Sequence, residues 1–336
     1  MIQNSQYKKK ECFSMKIGVF SVLFYDKNFE DMLDYVAESG LDMIEVGTGG
    51  NPGDKFCKLD ELLENEDKRQ AFMKSITDRG LQISGFSCHN NPISPDPTEA
   101  KEADETLRKT IRLANLLDVP VVNTFSGIAG SDDTAKKPNW PVTPWPTAYS
   151  EIYDYQWNEK LIPYWQDLAE FAKEQDVKIA IELHAGFLVH TPYTMLKLRE
   201  ATNEYIGANL DPSHLWWQGI DPIAAIRILG QANAIHHFHA KDTYINQENV
   251  NMYGLTDMQP YGNVATRAWT FRTVGYGHSP YVWADIISQL IINGYDYVLS
   301  IEHEDPIMSV EEGFQKACQT LKSVNIYDKP ADMWWA

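Results

Sequence analysis

Eight times between residues 16 and 302, a short apolar, β-rich run recurs with a longer amphipathic stretch after it, and few architectures accept that order. The runs are residues 16–24 (KIGVFSVLF), 42–47 (DMIEVG), 81–87 (LQISGFS), 119–125 (VPVVNTF), 178–184 (KIAIELH), 206–211 (IGANLD), 235–241 (IHHFHAK) and 297–302 (YVLSIE). Most are apolar throughout, as strands of a parallel sheet covered by helices must be. The stretches between carry helix signals: residues 29–40 after Asn28, 59–79 closed by Gly80, 98–117, 159–175, 192–201, 222–229, 282–293 closed by Gly294, and 310–321. Strand then helix, eight times over, predicts a single-domain α/β protein, a (β/α)8 TIM barrel over residues 15–326. A doubly wound sheet would place a glycine-rich turn after its first strand, and SVLFYDKN at residues 21–28 is no such turn.

Two connections are long, after the fourth and seventh strands. Residues 127–157 hold Trp140, Trp145, Tyr149, Tyr153, Tyr155 and Trp157; residues 243–280 hold Tyr253, Tyr261, Trp269 and Phe271. Both follow strands, so both belong at the C-terminal face of a barrel, and their aromatic content predicts ordered lids. With 29 Lys+Arg against 47 Asp+Glu, the formal charge of −18 opposes nucleic acid or an anionic membrane surface as partner. No apolar run approaches the length of a membrane span, about 18 residues. Four cysteines, Cys12, Cys57, Cys88 and Cys318, lie far apart without a C-x-x-C pair, which indicates neither a disulfide framework nor a thiolate zinc site and fits a reducing cytoplasm. Residues 1–14 are read as a polar leader. Residues 327–336, with Met333, Trp334 and Trp335, are read as a docking tail, and an oligomer is expected.

In a barrel, residues at the C-terminal ends of strands converge on one site however far apart they lie in sequence. That rule gathers Glu182 and His184, Asp211 and His214, His237 and His239, and Glu302 and His303. One ligand each from Glu182, Asp211, His239 and Glu302 makes a set of three carboxylates and one imidazole, suited to a single divalent ion: Mn2+ first, with Mg2+, Co2+ or Zn2+ as alternatives. Open positions would remain for substrate oxygens, and such an ion polarises a coordinated carbonyl and acidifies the neighbouring C–H. His184 shares a strand face with Glu182 and is the candidate base, since a free imidazole is a better base near neutrality than a ligated carboxylate. Glu182 and Glu302 as ligands and acid/base pair at once is the competing assignment. Candidate substrate contacts are His89, His214, His237, Lys241, Arg272 and Trp216.

Glu182 with Leu183, NLDPSHL at residues 209–215, HFHAKD at 237–242 and SIEHED at 300–305 resemble the xylose-isomerase-like sugar isomerase/epimerase superfamily. The resemblance implies one divalent metal on Glu182, Asp211, His239 and Glu302, and a substrate contact from His214. VGTGGNPGD at 46–54, SCHNNPISPD at 87–96, NWPVTPWP at 139–146 and RTVGYGH at 272–278 are similar to the branch holding the α subunits of C-glycoside deglycosidases. That branch implies a lyase that releases an aglycone from a 3-oxo-C-glycoside by β-elimination and works with a small β subunit. Isomerisation or 3-epimerisation of a keto sugar is the alternative outcome, and a non-catalytic sugar-binding or assembly subunit a second. The three-zinc DNA-repair nucleases on the same barrel fit poorly: the fourth strand ends in NTFSG without histidine, and no Asp-x-His follows HFHAKD.

Overall fold

The computed structural model describes residues 15–328; the leader 1–14 and residues 329–336 of the expected docking tail lie outside the described residues. Eight parallel strands close into a barrel: β1 (Lys16–Phe20), β2 (Met43–Gly47), β3 (Gln82–Ser87), β4 (Val121–Thr124), β5 (Lys178–Glu182), β6 (Ile206–Leu210), β7 (Ile235–Ala240) and, after an inserted antiparallel pair β8 (Asp242–Ile245) and β9 (Trp269–Arg272), β10 (Val298–Ile301). Closure is made by β10, which pairs with β1 at Lys16 and Val298 on one side and with β7 at His239 and Ser300 on the other. The helices are α1 (Phe29–Glu38), α2 (Leu59–Glu64), α3 (Glu66–Thr77), α4 (Pro97–Leu116), α5 (Thr147–Tyr155), α6 (Ile162–Glu174), α7 (Pro192–Ala201), α8 (Pro212–Trp216), α9 (Pro222–Gln231), α10 (Gln247–Tyr253), α11 (Pro280–Ile292) and α12 (Val310–Val324). Among the described residues, no helix is long and apolar enough to cross a membrane.

Local chemistry sets the ends. Asn28 starts α1 by accepting the Asp31 N–H, and the helix then buries Met32, Leu33 and Val36 against the sheet. Gly80 and Gly294 follow helices at φ +74° and +84°, a conformation that costs glycine nothing. Large side chains such as Trp165, Trp283, Phe238 and Phe314 fill the layer between sheet and helices. The barrel axis is different: Glu45, Ser87, Asn123, Asn209, His237, His239 and Ser300 are all buried there.

Three expectations are corrected. β1 stops at Phe20, and Ser21–Phe24 coil into a 3-10 turn. The helix expected over 59–79 is two, because Asn65 takes an extended conformation and caps α3 by accepting the Lys68 N–H. The helix expected from residue 159 begins sooner: α5 runs through a π-helical turn, Gln156–Leu161, directly into α6. The seventh connection, expected as an ordered lid, contains the regular elements β8, α10 and β9.

At the N-terminal end of the barrel, far along the strands from the ligand set, a Cβ on Gly207 would stand 2.4 Å from the His236 ring. Gly207→Ala is expected to cost about 1–3 kcal/mol in urea unfolding, as overpacking does. His236 contacts the Glu204 carbonyl (3.2 Å), and burial, helped by Lys178 and Arg199, pushes its pKa down from 6.5 to about 3. The unfolded chain therefore takes up a proton that the folded chain refuses, so stability is whole above pH 6.5 and drains as the pH falls toward 3. The expected contribution is about 1.4 kcal/mol per pH unit. Urea titrations of wild type and His236→Leu across that window should diverge by this slope; parallel curves would refute it.

Candidate active site at the C-terminal mouth of the barrel

Alternation along the strands turns every second residue toward the axis. On β5 and just beyond it these are Ala180, Glu182 and His184; on β6, Asn209 and then Asp211; on β7, His237, His239 and then Lys241; on β10, Ser300 and then Glu302. The four expected ligands do come together: one donor atom each from Glu182, Asp211, His239 and Glu302 lies within 4.8 Å of every other. His239 Nδ1 stands 3.0 Å from Glu302 Oε2 and 3.8 Å from Glu182 Oε2. Asp211 uses Oδ1 to cap α8 through the Ser213 N–H (2.8 Å), which leaves Oδ2 turned to the cluster.

The electrostatics of this cluster fit a divalent ion. Asp211 Oδ2, Glu302 Oε2 and His239 Nδ1 are buried without a hydrogen bond of good geometry. Lys241, fully buried, places Nζ 2.9 Å from Glu302 and 3.3 Å from Asp211. With all three carboxylates ionised and His239 neutral, the one ammonium leaves two negative charges, which one divalent cation would neutralise. Burial, together with the charges of Glu302 and Glu182, raises Asp211 to about 7 against the pull of Lys241. Burial opposes ionisation of Glu302 as well, yet Lys241 and His239 hold it at about 2. Lys241 itself is held well above its ordinary range despite burial, by Glu302, Glu304 and Asp211.

A cavity of about 470 Å³ opens above this floor. Of the expected substrate contacts, His89, His214 and Lys241 line it, together with the expected base His184. His89 Nε2 and His214 Nε2 approach the two oxygens of Glu182 at 2.9 and 3.1 Å. The His184 Nδ1 atom lies 2.6 Å from the Ala185 carbonyl, so Nδ1 carries the proton and Nε2 keeps its lone pair. Burial lowers the His184 pKa and favours the neutral ring. Phe20, Phe125 and Phe187 form apolar wall, and Tyr25, Asn51 and Glu304 add polar groups that the strand-end rule did not reach.

Three expected contacts are corrected. His237 lies beneath the floor, with Nδ1 3.2 Å from Asn209 and Nε2 3.4 Å from Ser84. Arg272 turns away to pair with Asp305 at 2.9 Å. Trp216 stacks on His278, ring centres 3.9 Å apart, and does not line the cavity. The motif around Arg272 is held from below: Asp242 accepts the N–H groups of Gly275, Gly277 and His278 and the indole N–H of Trp283. The aromatic connections build a separate cavity of about 590 Å³, with Trp140, Tyr149, Tyr153 and Trp217 in its wall. Phe271 reaches from them to the site, 4.7 Å from Lys241 Nζ and edge-on to His214, with Tyr261 stacked behind it, ring centres 6.2 Å apart.

One buried acid escaped the sequence reading altogether. Glu45, mid-way along β2, lies under the floor and contacts His239 Nε2 with both oxygens at 3.0 Å. Burial alone would raise its pKa; His239, His237 and hydrogen bonds hold it well below the carboxylate range. A charge inside the apolar run MIEVG was the available signal, because a carboxylate in a strand covered on both faces must have partners.

A family model described as xylose isomerase-like TIM barrel matches residues 33–324. The uncharacterized protein YfiH of Bacillus subtilis (strain 168) is 38% identical over 297 residues, covering 88% of this chain and 94% of its own. The 3-dehydroshikimate dehydratase of Bacillus anthracis is 24% identical over 232 residues, 68% of this chain and 72% of its own. Among solved structures, a D-tagatose 3-epimerase-like protein superposes with a TM-score of 0.60 at 21% identity, over 92% of this chain and 98% of that one.

Proposed function

Because the chain belongs to the xylose isomerase-like TIM-barrel family, we propose that it is a divalent-metal-dependent enzyme removing the proton beside a sugar carbonyl, and that it acts as a carbon–carbon lyase on 3-oxo-C-glycosides. Glu182, Asp211, His239 and Glu302 hold the ion, Mn2+ in the first instance. When bound, the ion polarises the carbonyl and makes the adjacent C–H more acidic.

The observation that carries the lyase reading is the one-sided placement of proton carriers. His184, His214 and Lys241 come from the ends of the neighbouring strands β5, β6 and β7; across the mouth, the arc after β1 offers Phe20, Val22 and Tyr25, whose phenol burial pushes up to about 12, and His89 after β3 is turned onto Glu182 at 2.9 Å. Epimerisation needs a proton removed from one face and returned to the other; elimination on a single face does not. His184 Nε2 takes the proton from C2 of the 3-oxo sugar, and the ammonium of Lys241 is a fixed positive charge for the growing negative charge on oxygen. The C1=C2 bond then forms, the C1–C bond breaks with its electron pair going to the aglycone, and the aglycone carbon takes up the proton that His184 removed, which returns the imidazole to its neutral form. The Bacillus anthracis dehydratase, whose name denotes an elimination, agrees with this outcome.

A keto-sugar 3-epimerase is the second reading, supported by the likeness to the D-tagatose 3-epimerase-like protein and by Glu182 and Glu302 standing together in the ligand set. Purified protein with Mn2+ is to be given a 3-oxo-C-glycoside and, separately, free ketoses. Aglycone release is expected. Epimer formation from ketoses with the glycoside untouched would overturn the lyase reading.

A further inference from the structure

We propose that Glu45 is the positioning residue of the candidate metal centre, holding His239 in the single tautomer that leaves Nδ1 free to bind a divalent ion; this rests on the metal-dependent reading above.

Both oxygens of Glu45 stand 3.0 Å from His239 Nε2. A carboxylate offers that nitrogen only lone pairs, so a proton must lie on Nε2. Asn209 also comes within 3.1 Å of Nε2. One amide group does not outweigh two carboxylate oxygens, and the amide turned over presents its carbonyl to the same proton. With the proton fixed on Nε2, Nδ1 is the nitrogen left to bind an ion, and Nδ1 is the atom that faces Glu302 and Glu182.

The carboxylate is itself held by neighbours on three other strands. Ser87 (2.5 Å, β3) and Asn123 (2.8 Å, β4) donate to Oε1, and Ser300 (2.7 Å, β10) donates to Oε2. Three donors plus the imidazole are more than packing requires: an apolar side chain of the same volume would fill the space without desolvating a charge. What the charge adds is direction and basicity at Nδ1. A carboxylate behind a ligating histidine fixes the ring and strengthens it as a ligand, and loss of such a partner costs roughly 10–100-fold in metal affinity. Glu45 does not line the cavity, so this effect reaches the substrate only through His239.

The test is Mn2+ titration of the chelator-stripped full chain, read by electron paramagnetic resonance, in wild type and Glu45→Gln. The variant is expected to bind Mn2+ roughly 10–100-fold more weakly, with the metal-free Tm close to that of wild type and with an altered visible spectrum when loaded with Co2+. Affinity within threefold of wild type and an unchanged Co2+ spectrum would overturn the proposal. If Glu45→Gln does not fold, nitrogen NMR of histidine-labelled wild type loaded with Zn2+ decides: a proton on His239 Nε2 supports the proposal, and a bare Nε2 overturns it. A wild-type chain that binds no divalent ion is a separate result, which sinks the metal reading and this proposal with it.

Discussion

Stripping the protein with a chelator is expected to abolish turnover and lower its Tm, and adding Mn2+ back should restore both. The reason is the charge left at the mouth of the barrel, where Glu182, Asp211 and Glu302 converge on His239 with Lys241 as the cation nearest them. An ion held only by the folded chain stabilises it by about 2.7 kcal/mol when present at a hundredfold excess over its Kd. Asp211→Asn should remove most of that thermal shift, because the Asp211 oxygen lost is one turned toward the cluster and otherwise without a hydrogen bond. Full turnover in excess chelator, with a Tm that ignores Mn2+, would contradict the entire chemical reading.

The second large effect is expected at His184. Replacing it by Ala should lower kcat by roughly 10²–10⁴, the usual contribution of a positioned general base, which corresponds to about 3–5 kcal/mol of barrel-mouth catalysis. Mn2+ affinity should change by less than threefold, since His184 lies outside the four-residue ligand set. That separation of kcat from metal binding is the discriminating readout. If kcat of His184→Ala stays within threefold of wild type, the proton is handled by Glu182 and Glu302, and the single-face argument for a lyase loses its base.

The convergence of these four side chains was legible in the sequence because barrel topology makes a strand end a position in space. Glu182, Asp211, His239 and Glu302 needed only the correct strand order to be brought together. Contacts made by loops were not legible in this way. Arg272 sits in a motif rich in glycine and aromatic residues beside the site, yet its guanidinium goes to Asp305, because Asp242 ties down the following turn. Trp216 follows Asp211 and His214 in the chain, but the short helix α8 carries it outward onto His278. His237 shares a face with His239; two residues lower along the strand, it lies below the floor.

What the sequence determined by itself was the order of elements, the closed parallel barrel and the four residues that gather at its mouth, since all of these follow from periodicities of two and 3.6 and from where each apolar run stops. What the tertiary structure alone decided was the company each inward residue keeps. Periodicity tells which face of β2 carries Glu45, but only the register between strands and the closure of β10 on β1 and β7 bring that carboxylate against His239. The destination of the aromatic connections was decided in the same way, by folded packing: they line a second cavity. Side chains on one strand are related by local geometry, whereas neighbours across a barrel are related by its closure, which no single segment encodes.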